Sequence, residues 1–278
     1  MNQPVIITVA ITGAVPRKKD CAGLPVTPPE QIEETQKAYE VGASLVHIHV
    51  RNPDESPSSN PDLYAAVQEG VKKYCPEMIV QFSTGGRGRD QAARGAMLFH
   101  RPDMASLATG STNFPVGIYE NPTDFVEGLA SEMLKYEIKP EIEIFDLAML
   151  YNAANLVKKG LLHSPPHVQF VMGVPNAMPV RRSILEFLIQ ELHDVMPTAT
   201  WTAAGIGKHQ LTVNEWALEL GGHVRTGLED NLRYDETRVA KDNAELVARV
   251  AKMARDRGRP VASGKQAREI LGLRPIAV

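Results

Sequence analysis

Ser44–Arg51 reads Ser-Leu-Val-His-Ile-His-Val-Arg. Apolar and β-branched residues dominate it and no helical period fits, so it predicts a β-strand. Residues i and i+2 of a strand face the same side, so His47 and His49 project together. Two imidazoles on one face offer two nitrogen ligands to a divalent metal. The alternative is a pair of polar residues on a half-exposed edge strand. The segments on either side decide between the two.

Upstream, Val5–Thr12 is a buried-type strand, followed by a loop rich in Gly, Pro and charge from Gly13 to Val26. Thr27 is an N-cap, Pro28 and Pro29 open a helix with Glu30 at its third position, and Gly42 stops it. The same strand–helix unit recurs downstream. Strands are predicted at Met78–Thr84, Met104–Gly110, Glu141–Phe145, His167–Val174, Ala199–Ile206 and His223–Glu229. Helices fall between them, the last a long one over Asp235–Arg257, with a short helix at Ser263–Leu271. Strict βα alternation implies a parallel sheet with right-handed crossovers. Eight units in roughly 250 residues match an α/β (β/α)8 TIM barrel, here one domain over residues 1–278. An open doubly wound sheet is the competing fold, but Gly86-Arg87-Gly88-Arg89-Asp90-Gln91 lacks the third glycine of a dinucleotide fingerprint.

Composition narrows the function classes. Of 278 residues, 43% are hydrophobic, enough for a large core, and the formal net charge of −3 gives no electrostatic case for nucleic acid or an anionic membrane. Cys21 and Cys75 are too few for a disulfide framework or a cysteine-rich zinc site. The N-terminus lacks a signal-peptide pattern and no run is long enough for a membrane span, so the expected location is cytoplasmic.

A barrel gathers its active site at the C-terminal ends of its strands. Those ends carry His47, His49 and Arg51 on the second strand, Ser83 to Gly86 on the third, Ser106 on the fourth, and Glu141 and Glu143 on the fifth. The eighth carries Arg225 and Glu229, with Asp230 next. Strands eight and two both flank strand one in a closed barrel, so Glu229 reaches the histidine pair. Two imidazoles and one carboxylate form a common catalytic zinc set; a hydrogen-bonded His–Glu layer is the structural alternative. Arg225 either forms a structural ion pair or orients Asp230 and tunes its pKa. The glycines after Ser83 make a turn that also suits a carboxylate, and Glu141 and Glu143 read first as a charge layer. His100, His163 and His193 have no partner signal, His167 sits at the stability end of the barrel, and His209 starts a helix.

Ile-Thr-Gly-Ala, Gly-Ala-Ser-Leu-Val-His-Ile-His-Val-Arg, Gln-Phe-Ser-Thr-Gly-Gly, Pro-Glu-Ile-Glu-Ile-Phe and Gly-Gly-His-Val-Arg-Thr-Gly-Leu-Glu-Asp-Asn together resemble the β-keto acid cleavage enzymes, which include 3-keto-5-aminohexanoate cleavage enzyme. The resemblance spans essentially the whole chain. It implies a zinc-dependent, usually tetrameric barrel that condenses a β-keto acid with acetyl-CoA, releasing acetoacetate and a new acyl-CoA. It further implies zinc ligands at His47, His49 and Glu229, a base at Asp230 partnered by Arg225, and substrate contacts at Ser83, Gly86, Ser106 and Glu143. The aminohexanoate enzyme binds its substrate's ammonium with a glutamate where this chain has Val15. Valine cannot pair with a cation, so the expected substrate is a different β-keto acid, with an apolar or differently charged tail. Lys208 and Arg87 are candidates for the CoA nucleotide by charge alone. Two alternatives stay open on the residues: an amidohydrolase-type zinc hydrolase, which also uses an HxH strand, and a metal-bearing barrel that binds a small acid without turnover.

Overall fold

The computed structural model describes residues 3–86 and 90–276. Eight strands form its centre: β1 (Ile7–Ala10), β2 (Leu45–Ile48), β3 (Ile79–Phe82), β4 (Met104–Ala108), β5 (Lys139–Ile144), β6 (His167–Met172), β7 (Thr200–Gly205) and β8 (His223–Thr226). Each pairs in parallel with the next, and β8 pairs with β1 through Thr8 opposite Arg225, so the ring closes as the expected (β/α)8 barrel.

Alternation along each strand sorts the side chains. Val46 and Ile48 on β2 and Val80 and Phe82 on β3 pack outward in the core shared with the helices. Their neighbours Leu45, His47, Ile79 and Gln81 have the opposite parity and point inward. The lower inward residues Ile6, Leu45, Ile79 and Met104 are apolar, and Ala267 and Leu271 cover them. Above them the interior is polar.

The helices are α1 (Pro28–Glu40), α2 (Pro61–Tyr74), α3 (Gln91–Gly95), α4 (Thr123–Lys135), α5 (Leu147–Lys158), α6 (Arg182–Val195), α7 (Gln210–Glu219), α8 (Asn243–Asp256) and α9 (Gly264–Leu271). Thr27 and Glu30 form the expected capping box of α1. The chain's beginning is tied to its end, Val5 N–H donating to Pro260 and its carbonyl accepting from Ala262. Among the described residues, no helix is long and apolar enough to cross a membrane.

Two of the boundaries that differ from the sequence reading have a clear local cause. The last long helix starts at Asn243, not Asp235, because Asp235 turns its carboxylate onto the N–H groups of Thr237 and Arg238. Asp242 is the actual cap, accepting from Glu245 N–H at 2.8 Å. The eighth strand ends at Thr226 instead of running to Glu229. Gly227, at φ +132°, turns the chain across the end of β1, and a Cβ there would lie 2.2 Å from the Ala10 carbonyl oxygen. Glu229 N–H then donates to that same carbonyl at 3.1 Å. Strand geometry therefore delivers Arg225, and a glycine turn delivers Glu229 and Asp230.

Candidate active site

His47 lies on β2 and His49 just beyond it, their ring centroids 5.1 Å apart. Glu229 Oε1 is 3.7 Å from His47 Nε2 and 3.4 Å from His49 Nε2. One ligand atom from each of the three residues falls within 4.8 Å of the others. Glu229 Oε2 is buried without a hydrogen-bond partner. An orphaned oxygen on a buried carboxylate is costly unless something cationic meets it, and a divalent metal fits the donor set of His47, His49 and Glu229.

Electrostatics agree with this fit. Burial drives His47 down to about 4, Arg225 and His49 adding to the effect, so the ring is neutral. Burial alone would raise the Glu229 carboxyl, but His49, Arg225 and His47 outweigh it and hold it well below the usual range. A neutral imidazole beside an ionised carboxylate is the state that ligates a metal.

Arg225 sits beside this group. Its Nε and Nη2 donate to the two oxygens of Asp230, each at 2.8 Å, and Nη2 also reaches Glu229 Oε1 at 2.8 Å. The Asp230 pair is bidentate, which fixes the carboxylate plane. Burial pushes the Asp230 carboxyl up, and Arg225 pulls the other way. The net result is a carboxylate more basic than an exposed aspartate and held in one orientation, which is what a general base requires.

The remaining candidates distribute unevenly. Glu143 is buried on β5, and burial pushes its carboxyl up to about 8, opposed by Arg225. Ser83 accepts from Gly85 N–H at 3.1 Å, shaping the turn that contains the buried Gly86. Ser106 is fully buried, and its hydroxyl accepts from Thr84 N–H at 3.1 Å, so it braces that turn from below. Val15 is not on a strand: β1 ends at Ala10, and Val15 lies in the following loop, 62% exposed. Arg51 does not share the histidine face. It turns to the carbonyls of Thr12, Gly13 and Pro16 and clamps that loop. Lys208 is exposed just past β7, and Arg87 lies outside the described residues.

Three interior residues had no signal as site components. Gln81 accepts from His47 Nδ1 at 2.5 Å, Gln169 accepts from Arg225 at 3.3 Å, and His167 Nε2 lies 3.3 Å from Glu141. A single glutamine inside an otherwise apolar strand is the only trace Gln81 leaves in the sequence, as Ile-Val-Gln-Phe shows.

A profile of the beta-keto acid cleavage enzymes matches residues 4–273. The chain belongs to this family. The β-keto acid cleavage enzyme described here is 56% identical over 273 residues to a 3-oxoadipate:acetyl-CoA acetyltransferase from Cupriavidus necator, covering 98% of this chain and 96% of that one. It is 37% identical to a 3-keto-5-aminohexanoate cleavage enzyme from Acetoanaerobium sticklandii, covering 98% of this chain and 99% of the relative. Among solved structures, a complex of ObcA with oxaloacetate matches with a TM-score of 0.79 and 26% identity, over 90% of this chain and 67% of that one. The expected family is thereby established, acyl transfer agrees with the relatives' names, and the amidohydrolase alternative falls away.

Proposed function

We propose that this β-keto acid cleavage enzyme takes a β-keto dicarboxylate of the 3-oxoadipate type and acetyl-CoA, and releases acetoacetate and succinyl-CoA. The observation that carries the reaction type is Asp230, a buried carboxylate held bidentately by Arg225 and next in sequence to Glu229 of the His47–His49–Glu229 cluster. His47, His49 and Glu229 would hold a zinc ion, which when bound supplies Lewis-acid polarisation of the substrate's keto group.

The chain's own residues account for the rest. Asp230 takes a proton from the carbon between the keto group and the carboxylate. That carbon attacks the thioester carbonyl of acetyl-CoA and expels the CoA thiolate. The thiolate then adds to the original keto carbon, and the bond between that carbon and the carbon that made the attack breaks, leaving a succinyl thioester. Asp230 returns its proton to the departing carbon, completing acetoacetate. Arg225 holds Asp230 in one plane through both steps, and Ser83 and Gly86, at the turn beyond β3, would meet the substrate carboxylate.

Two features support a tail carboxylate. The relative that is 56% identical is named for 3-oxoadipate. The Val15 loop also gathers two guanidinium groups, Arg17 on the carbonyls of Ala14, Val15 and Pro16, and Arg51 on those of Thr12, Gly13 and Pro16. Burial lowers Arg51 to about 10, and the charge of Arg17 adds to the shift. An anionic tail relieves that repulsion, whereas an ammonium would worsen it.

The proposed protein is a single-domain, zinc-dependent homotetramer of the cytoplasm. Incubation with zinc, acetyl-CoA and a panel of β-keto acids tests the reaction, with the acyl-CoA identified by mass spectrometry. Succinyl-CoA formed fastest from 3-oxoadipate is the expected result. Equal or faster use of 3-keto-5-aminohexanoate defeats the substrate assignment, and consumption without CoA defeats the reaction. Light scattering on the eluting protein reads the assembly.

A further inference from the structure

Glu141 lies on β5 at the centre of the barrel, 0% exposed, in register opposite Ser106 on β4 and His167 on β6. No step above uses it. Its Oε2 accepts two amide donors, Gln81 Nε2 at 2.9 Å and Gln169 Nε2 at 2.8 Å. An ionised carboxylate can only accept. Burial would raise its pKa, but His167 outweighs that and keeps it lowered, so it remains the accepting form.

This fixes the direction of both amides. Because Gln81 gives its NH2 to Glu141, it presents its carbonyl oxygen to His47 Nδ1, 2.5 Å away. The His47 hydrogen is therefore on Nδ1, and Nε2 keeps a bare lone pair toward Glu229. Because Gln169 also gives its NH2 to Glu141, its carbonyl oxygen accepts from Arg225 Nη1 at 3.3 Å. Arg225 is the residue that holds Asp230.

We infer that Glu141 is a positioning residue that sets the polarity of two amide arms at once, imposing the metal-ligating tautomer of His47 through Gln81 and orienting Arg225 through Gln169. It touches neither metal nor substrate and acts only through these arms. Both amides meet the same Oε2, so in Glu141→Gln a single carbonyl oxygen can still accept them; in Glu141→Leu neither is accepted, and Gln81 loses what fixes its direction. If the Gln81 arm reverses, its NH2 faces His47 Nδ1, and the ring hydrogen moves to Nε2, where it blocks the ligating lone pair. Partners of this kind typically change metal affinity by about 10- to 100-fold.

The inference rests on the zinc reading of His47, His49 and Glu229, and its test separates the two. Zinc affinity is measured by chelator competition on full-length wild type, Glu141→Leu, Gln81→Met and the double variant. Expected are losses of about 10- to 100-fold in each single variant, with the double variant losing less than the product of the two, since part of the effect of Glu141 on zinc runs through Gln81. Wild-type affinity in Glu141→Leu, or losses that multiply in the double variant, overturns the inference. Nitrogen-15 histidine spectra of metal-free wild type give a second reading that needs no variant at 141, with His47 assigned from its loss in His47→Gln. An Nδ1–H tautomer is expected, and an Nε2–H tautomer overturns the relay even in protein that binds no zinc.

Discussion

Asp230 and His47 sit in one cluster, and the proposed mechanism gives them different roles that substitution separates. Asp230→Asn keeps its hydrogen bonds to Arg225 in part and leaves His47, His49 and Glu229 in place. It is expected to retain zinc while kcat falls by about 10²- to 10⁴-fold, the usual worth of a positioned base. His47→Ala is expected to lose zinc as well, which metal analysis of the purified proteins reads directly. An Asp230→Asn enzyme with near wild-type kcat would remove the base assignment. The residues that carry charge or a ring were legible in the sequence: His47 and His49 by their spacing, Glu229 by the adjacency of strands eight, one and two. Gln81 and Gln169 were not. An amide gives no charge signal, and its importance depends on which end it presents, which only the Glu141 contacts decide. Val15 lies in the loop after β1, as the sequence indicates, but its exposure was not legible, because the residues that fold the loop over are distant in sequence.

At the scale of elements, the strand–helix order was legible because caps and stops punctuate it, as Thr27 with Glu30 does at α1. Two exits were not. Residues 235–241 have helix-compatible composition, but Asp235 bonds its own backbone neighbours and Asp242 supplies the cap. Asp242→Ala should lower stability by about 1 kcal/mol, measured by denaturant titration, whereas Asp235→Ala should leave the start of α8 intact. The second exit is Gly227, whose φ of +132° continues no strand. Gly227→Ala meets both that backbone cost, about 1–3 kcal/mol, and a contact of 2.2 Å with the Ala10 carbonyl oxygen. It is expected to weaken zinc binding along with stability, because Glu229 and Asp230 follow the turn. A stable Gly227→Ala protein with unchanged zinc affinity would show that the turn does not set the site.

The whole barrel was legible because eight repeats leave few alternatives, but its interior chemistry depends on register. The lower end holds His223, whose Nδ1 accepts the Ile6 N–H at 3.2 Å. Burial drives His223 down to about 3, with His167 and Arg259 adding to the shift. The unfolded chain takes up a proton at pH 6.5 that the native state refuses until about pH 3. Stability from this group is therefore full above pH 6.5 and is lost as pH falls through that window, with a slope up to about 1.4 kcal/mol per pH unit. Thermal unfolding from pH 7 to pH 4 is expected to show a shallower decline in His223→Gln than in wild type; parallel curves would assign the acid lability elsewhere.

At the upper end, Gly13 adopts φ +58°, and a Cβ there would lie 2.5 Å from Glu229 Cγ. Position 13 is thereby a fixed pivot, whereas Val15, two residues on, touches open solvent. For the evolution of the family this separates inheritance from innovation. The pivot must be passed on unchanged for the carboxylate across the seam to stay seated, and the few residues beyond it are free to be exchanged as a cassette. On the proposed reading of the site, a lineage of such barrels can acquire a new substrate by rewriting a single short loop, without renegotiating the centre behind it.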